Sequence, residues 1–267
     1  MRPRFKIALV FASLSLQLGL VDPARAEMLA MRDMTWVEIA AAIERGAATV
    51  IVPTGGIEQN GPHMALAKHD IIVTAAAGRI AAGVGRTLVA PVVSFVPEGG
   101  IAPATGNMLF PGTIGVSEVV FEGLLEDIAR SLKHAGFRDI VFIGDHGMSQ
   151  AGQARVAQKL TLDWASSGVR VHQLDQYYDD RGQVRTLEAQ GETADTIGQH
   201  ASLIDTAELM SIDPSRVDLR KLPAMRADLA GAGGSGDPAR ASMTQGALLL
   251  KMRVDAATQQ LRKLLQR

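Results

Sequence analysis

The chain has 267 residues, of which 47% are hydrophobic, 21% are charged and 4% are aromatic. This composition supplies enough apolar side chains for a core and excludes a disordered or fibrous protein. The 27 basic and 28 acidic residues give a formal charge of −1, so we expect no nucleic acid partner, since phosphate binding needs a basic surface. There is no cysteine, which excludes disulfides, thiolate zinc sites, iron–sulfur clusters and cysteine nucleophiles.

The first 26 residues have the layout of a secretory signal peptide. A basic start precedes an apolar run over residues 7–21, and Ala24-Arg25-Ala26 follows, which predicts cleavage after Ala26. The alternatives are a buried N-terminal helix or a membrane anchor, but the run is too short to span a bilayer comfortably. Cleavage removes four of the 27 basic and one of the 28 acidic residues, which leaves a formal charge of −4. We expect a secreted or periplasmic protein with no membrane contact after cleavage.

The mature chain, residues 27–267, alternates between helix-type and strand-type patterns. The predicted helices cover residues 35–48, 70–83, 117–136, 151–167, 201–210 and 244–265. The predicted strands cover residues 49–52, 87–96, 139–143 and 169–174. Residues 175–192 are polar and predict a surface loop, and residues 230–238 predict a flexible glycine-rich link. This alternation indicates a single α/β domain with a mostly parallel sheet between helices.

The helix over residues 117–136 has the clearest pattern. Ser117 is its candidate N-cap and Gly136 closes it. Its apolar face is predicted from the helical spacing of four side chains. They are Val120, Leu124, Ile128 and Leu132.

Ligand-type side chains follow two of the predicted strands, 49–52 and 139–143. They are Glu58, Asn60, His63, His69, Asp70, Asp145 and His146. Binding sites in parallel α/β sheets form beyond the carboxyl ends of the strands, and oxygen and imidazole ligands together suit zinc, manganese or iron. The alternative is that these are loop residues, with Asp70 capping the next helix and His63 solvated. No compact motif such as HExxH is present.

Five short motifs occur within residues 35–265. They read Gly-Gly-Ile-Glu-Gln-Asn-Gly-Pro-His over 55–63, Phe-Pro-Gly-Thr over 110–113, Gly-Asp-His over 144–146, His-Ala-Ser-Leu-Ile-Asp-Thr over 200–206 and Gly-Asp-Pro over 236–238. In type and order they resemble the motifs of the creatininase (creatinine amidohydrolase) family, so the chain is identified as a divergent, exported member. The resemblance implies a three-layer α/β/α fold, metal-dependent cleavage of C–N bonds in cyclic amides and related substrates, and homo-oligomers, often hexamers.

The resemblance also implies a metal site. Glu58 and His146 match the family residues that bind one metal. The family's bridging aspartate falls on either His69 or Asp70, because this loop has one residue more than in the best-known members. Both alternatives stay open at this point, and zinc, manganese and iron are the candidate metals.

A second metal site in the family uses a histidine and a glutamate that correspond to Asn60 and Met148. A neutral amide and a soft thioether are poor ligands for a divalent cation, so we expect one metal per subunit. The alternative is that His63 or His69 rebuilds the second site.

The resemblance assigns the family's active-site histidine to His200. Because imidazole changes charge near neutral pH, His200 is the candidate proton donor to the leaving nitrogen. Asp205 either orients this histidine or caps the local helix, and Asp145 either fixes the ring of His146 or is an N-cap. The alternative for His200 is an ordinary histidine on a helix surface.

Three residues are predicted to contact a small amide substrate: Asn60, Gln199 and Tyr178. Gln199 replaces a family glutamate and cannot act as a base. The tryptophans that shape the creatinine pocket in the family have no clear counterpart here, although Tyr177 and Tyr178 lie in the corresponding loop. Creatinine is therefore not the expected substrate.

The predicted function is therefore metal-dependent hydrolysis of a cyclic or related small amide. One alternative is an exported small-molecule binding protein that kept the fold and lost catalysis, which the residues at positions 60, 148 and 199 favour. Another is a one-metal peptidase or deformylase that acts on a linear amide.

Overall fold

The computed structural model describes residues 29–223 and 226–266, so the predicted signal peptide lies outside the described residues. Its central sheet has four parallel strands in the order β2-β1-β3-β4. The strands are β1 (Thr49–Thr54), β2 (Thr87–Val89), β3 (Asp139–Gly144) and β4 (Arg170–Gln173). No helix in the described ranges is both long and apolar enough to cross a bilayer.

Helices surround this sheet on both sides. They are α1 (Trp36–Glu44), α2 (Lys68–Val84), α3 (Glu118–Ala135), α4 (Gln150–Asp163), α5 (Asp175–Tyr178), α6 (Arg181–Ala189), α7 (Ala194–Ile197), α8 (Leu203–Ile212), α9 (Arg226–Gly231) and α10 (Met243–Leu265). Short 3-10 turns cover Met31–Asp33, Gly106–Leu109, Gly147–Ser149, Ala165–Ser167, Pro214–Arg216, Leu219–Lys221 and Pro238–Arg240.

The two faces of the sheet carry separate cores. Successive side chains of a strand point to opposite faces, so Val50 and Val52 pack with α3 and α4, whereas Ile51 packs with α2, α8 and α10. Every residue of β1 and β3 is buried, as expected for parallel strands covered by helices on both sides. The predicted three-layer α/β/α architecture is therefore confirmed.

The ends of α3 agree with the sequence, but its buried face agrees only in part. Ser117 accepts a hydrogen bond from the main chain of the first turn, and Gly136 ends the helix in the left-handed conformation at φ 113°. The buried side chains are Phe121, Leu125, Ala129 and Leu132. Of the predicted face, Leu132 is buried and Ile128 packs against the core, whereas Val120 and Leu124 are exposed. Two apolar stripes lie side by side on this helix, and packing against the rest of the protein selects between them.

The strand predicted over residues 87–96 ends at Val89. Pro91 has no N–H with which to continue the ladder, yet the chain stays beside β1. Val93 donates to the Pro53 carbonyl at 2.9 Å, and the Val93 carbonyl accepts from Gly55 at 3.0 Å. This irregular stretch brings the segment after it close to the end of β1.

The polar stretch over residues 175–192 is not a surface loop, because it contains α5 and α6. Tyr177 and Leu187 are fully buried, and buried Gln183 donates to Glu208 at 2.6 Å. The prediction was wrong because most residues of this stretch are polar, and only Tyr177, Gln183 and Leu187 are buried. The predicted glycine-rich link begins later than expected, since α9 extends to Gly231.

Candidate metal centre and active site

The candidate site forms where β1 and β3 end and α2 begins. The two strands pair in register as far as Thr54 and Gly144, so the segments that follow them leave the sheet at the same edge. Glu58 lies in the loop after β1, His146 lies two residues after β3, and His69 is the second residue of α2. Parallel α/β sheets place their binding sites at this edge.

Glu58, His69 and His146 form a buried cluster with the spacing of a metal site. One potential ligand atom from each side chain lies within 4.8 Å of the other two. His69 Nε2 lies 2.5 Å from Glu58 Oε1, and His146 Nε2 lies 3.2 Å from Glu58 Oε2. All three residues are buried. Two imidazoles and a carboxylate are ligands that zinc, manganese and iron accept, so this group fits one divalent metal.

Electrostatics keep Glu58 ionised in this buried position. Burial raises the pKa of the Glu58 carboxyl, but His69, His146 and Lys68 lower it by more, so the pKa lies far below its usual value. Burial lowers the pKa of His146, but Glu58 and Glu98 outweigh it and raise this pKa to about 9. The site therefore attracts positive charge, and metal binding would displace a proton from the imidazole.

Asp145 fixes the orientation of the His69 ring. Its Oδ2 lies 2.8 Å from His69 Nδ1, which leaves Nε2 facing the carboxylate of the cluster. The other oxygen accepts hydrogen bonds from Tyr177 at 2.8 Å and Arg253 at 2.6 Å. Asp145 was predicted either to orient His146 or to be an N-cap. The structure shows neither: it pairs Asp145 with His69, because neighbouring side chains in extended backbone point in different directions.

Lys68 places a buried ammonium group beside the cluster. Its Nζ lies 3.6 Å from Glu58 Oε1 and 3.3 Å from Asp205 Oδ1, with 1% of the side chain exposed. Burial lowers the pKa of Lys68, but Asp205 and Glu58 raise it by more, so the net shift is upward. The side chain is therefore a fixed positive charge at the site.

The cluster borders a cavity of about 280 Å³, which His200 also lines. His200 Nδ1 lies 3.8 Å from Glu58 Oε1, and its side chain is 32% exposed. Its Nε2 lies 2.8 Å from the side-chain nitrogen of Gln59 and 3.0 Å from the carbonyl of the same residue. An imidazole in this place can exchange a proton with a molecule bound in the cavity.

The cavity wall contains two of the three predicted substrate-contacting residues. Gln199 and Tyr178 line it, as does Met148. Asn60 does not line it, because this residue is fully buried and its amide donates to three main-chain carbonyls of its own loop. The structure thus gives Asn60 a role in holding the loop instead of the predicted substrate contact.

Asp70 lies outside the cluster. Its carboxylate accepts hydrogen bonds from the Gly56 N–H at 3.0 Å and the Ser94 hydroxyl at 2.5 Å. A Cβ placed on Gly55 would lie only 1.9 Å from Asp70 Oδ1, so the loop after β1 packs directly on this carboxylate. Of the two alternatives for the ligand, the geometry brings His69 to the metal group and uses Asp70 to tie the loop to α2.

His63 takes neither predicted role, and Asp205 takes only one of its two. His63 is buried, not solvated, and its Nε2 lies 2.9 Å from the Thr206 hydroxyl. Burial lowers the pKa of His63 to about 4. Asp205 and Ser202 form a capping box at the start of α8, so helix capping, rather than orientation of His200, is the alternative that the structure supports.

Three charged residues of the site were missed from sequence: Lys68, Glu98 and Arg253. A lysine in the first turn of a helix is opposed by the helix dipole, which was a usable signal for Lys68. Glu98 is the only acid in the apolar, glycine-containing segment 92–100, a weaker signal. Arg253 gave none, because an arginine in an amphipathic helix is ordinarily on the polar face.

The chain is similar to known proteins over most of its length. The family model for creatininase, described as creatinine amidohydrolase, matches residues 32–261. Creatinine amidohydrolase of Pseudomonas putida is 25% identical over 195 residues, which are 71% of this chain and 74% of that protein. Mycofactocin precursor peptide peptidase of Mycolicibacterium smegmatis is 31% identical over 124 residues, but the match spans only 47% of that protein and 45% of this chain.

A solved structure described as creatininase with Mn has the same fold. It has a TM-score of 0.71 at 23% identity and covers 88% of this chain and 98% of that chain. The likeness at this identity concerns the fold, whereas the family match extends through the loop of Glu58, the turn of His146 and the segment of His200. On this match, the protein belongs to the creatininase family.

Proposed function

We propose that this protein is a metal-dependent amidohydrolase that cleaves a C–N bond in a small cyclic amide other than creatinine. The observation that supports it best is the buried Glu58–His69–His146 cluster beside a cavity that His200 lines. The cavity is close in size to the smaller ligand pockets of proteins. A small amide that enters it would reach the metal group and the histidine together.

In this proposal Glu58, His69 and His146 hold the metal. A divalent metal bound there would polarise an amide carbonyl and lower the pKa of a water towards ~7. Asp145 holds the proton of the His69 ring on Nδ1, so that Nε2 remains the ligand atom.

Two further side chains act on the bound amide. Lys68 lines the cavity, and its fixed charge would stabilise the negative charge that develops on the carbonyl oxygen. The leaving nitrogen needs a proton, and His200 is positioned at the cavity wall to donate it.

Replacement of His200 by alanine is expected to lower kcat by about 10²-fold, the lower end of the range for a general acid. Metal content should stay unchanged, because the ring is not part of the three-residue metal group. Steady-state kinetics with a hydrolysed amide and elemental analysis measure both. The control is His172→Ala. This histidine is on β4, its ring lies 2.8 Å from Asp139 of β3, and it does not line the cavity. Unchanged kcat, or loss of the metal, would contradict the assigned role.

The purified mature protein is expected to hold one metal per subunit after dialysis. Asn60 and His63 both form buried hydrogen bonds, and Met148 offers only a thioether. These three residues are therefore not arranged to bind a second metal. Elemental analysis gives the ratio, and a panel of cyclic amides with added manganese or zinc then tests hydrolysis. A ratio near two would show a rebuilt second site. No metal after reconstitution would favour the exported binding protein instead.

A linear amide is the second candidate substrate. The observation that favours it is the 31% identity with the mycofactocin precursor peptide peptidase over 124 residues. A panel of short peptides, assayed beside the cyclic amides, separates the two candidates. Hydrolysis of peptides alone would replace the cyclic amide in this proposal.

Export of the protein is part of the proposal, and the mature chain is expected to begin at Glu27. The basic start, the apolar run and the Ala24-Arg25-Ala26 site support it. N-terminal sequencing of the native protein measures the cleavage point. Soluble cytoplasmic protein with an intact Met1 would contradict export.

A further inference from the structure

Glu98 brings a second buried carboxylate to the metal group. It is fully buried, and its Oε2 lies 3.1 Å from His146 Nε2. The same nitrogen lies 3.2 Å from Glu58 Oε2. One ring nitrogen therefore faces two carboxylates, which reach it from two different loops.

The local hydrogen bonds do not satisfy this carboxylate. Glu98 Oε1 is buried and has no hydrogen-bond partner. Within the described ranges, Glu98 forms an ion pair with His146 and with no lysine or arginine. A buried carboxylate is costly unless it is paired or coordinates a metal. Because one oxygen of Glu98 lies beside His146 and the other has no hydrogen-bond partner, this carboxylate has capacity left to bind a cation at the metal group.

Neighbouring residues are shaped around Glu98. A Cβ placed on Gly56 would lie 2.8 Å from Glu98 Oε1, and one placed on Gly115 would lie 2.9 Å from Glu98 Cβ. The side-chain amide of Asn107 donates to Glu98 Oε2 at 3.2 Å and also to Glu58 Oε2. Larger side chains at the two glycines would displace the carboxylate, and the shared amide fixes both acids relative to each other.

We propose that Glu98 is a fourth protein ligand of the metal held by Glu58, His69 and His146. This inference rests on the proposed function, because it concerns the same metal. The ligand-atom separations of 3.1 Å and 3.2 Å around His146 Nε2 are of the size expected between neighbouring ligands that share one ion with bonds of ~2.0–2.2 Å. Two carboxylates would neutralise the charge of a divalent ion.

A fourth ligand also bears on the choice of metal. Catalytic zinc sites keep three protein ligands and one open position. Four protein ligands would close a tetrahedral zinc, whereas manganese or iron can add ligands up to six and keep room for water and substrate. The inferred site therefore favours manganese or iron as the metal of the active enzyme.

The test measures metal binding instead of activity. Affinities for Mn²⁺ and Co²⁺, and the absorption spectrum of the Co²⁺ form, are compared for the mature wild type, Glu98→Gln and the control Asp139→Asn. Asp139 is another buried carboxylate, but it pairs with Arg170 and His172 at the far end of β3. We expect Glu98→Gln to weaken metal binding by at least about 10²-fold, the upper limit for loss of an outer partner, and to change the Co²⁺ spectrum. The control should match wild type.

Three results would overturn the inference. Wild-type affinity in Glu98→Gln would exclude a ligand role, and weaker binding with an unchanged Co²⁺ spectrum would place Glu98 outside the coordination shell. A wild type that binds no metal would overturn the proposed function as well. The first two results overturn only the role of Glu98, so the two kinds of failure can be told apart. If Glu98→Gln does not fold, a crystal structure of the metal-loaded wild type decides, since a ligand oxygen must lie about 2.0–2.3 Å from the ion.

Discussion

Replacement of Glu58 by glutamine is expected to abolish metal binding and, with it, hydrolysis. Glutamine keeps the shape of the side chain but loses its charge and one acceptor oxygen. In the wild type the two carboxylate oxygens meet His69 at 2.5 Å and His146 at 3.2 Å. Affinity should fall by more than the ~10–100-fold typical for loss of an outer partner, because this carboxylate contacts both imidazole ligands.

Elemental analysis after dialysis measures this loss, and circular dichroism checks that the variant is folded. His146→Ala should lose the metal in the same way. Asp70→Asn is the matched control, since the Asp70 carboxylate bonds Gly56 and Ser94, and this variant should retain the metal. Stoichiometric tight metal in Glu58→Gln would contradict the assignment. If Asp70→Asn lost the metal and His69→Ala retained it, Asp70 instead of His69 would be the metal ligand.

The fold was largely predictable because its signals are local. Continuous apolar runs predicted β1 and β3, and their ends were correct to within two residues, since buried parallel strands have no polar face to confuse the pattern. The ends of α3 at Ser117 and Gly136 were predictable because capping residues are also local signals. The short β2 and the helices within residues 175–192 were not predictable. A proline interrupts the first, and only three side chains of the second are buried, which is too few to form an apolar pattern.

The site was predictable only where residues follow strand ends. Glu58 and His146 each lie within four residues of a strand, so the topology alone brings them together. The choice between His69 and Asp70 depended on the exact start of α2, and one residue of shift turns a side chain by about 100° around a helix. Glu98 reaches the site through an irregular stretch and gave only a weak sequence signal. Arg253 reaches it from a distant helix and gave none.

Loss of Arg253 is expected to destabilise the whole protein, because this residue from α10 compensates two buried acids. Its guanidinium lies 2.6 Å from Asp145 and 2.7 Å from Glu208. It also donates to the Tyr177 carbonyl at 2.9 Å and stacks 4.0 Å from the centre of that ring. Arg253→Met keeps an apolar side chain, but among the described residues it leaves Glu208 without the cation that pairs with it and leaves Asp145 in an ion pair with His69 alone. Removal of one partner from a buried ion pair typically costs about 3–5 kcal/mol.

For a domain of this size, that change lowers Tm by roughly 6–20 °C. Thermal and urea unfolding should be measured in excess chelator, so that loss of metal does not add to the effect. Arg155→Met is the control for loss of an arginine, since Arg155 pairs with Glu118 and Glu122 on the surface, and it should change Tm little. A second variant, Arg253→Met with Glu208→Gln, also removes the unpaired charge of Glu208 and should recover part of the lost stability. Wild-type stability of Arg253→Met would show that α10 does not support the acid that orients His69.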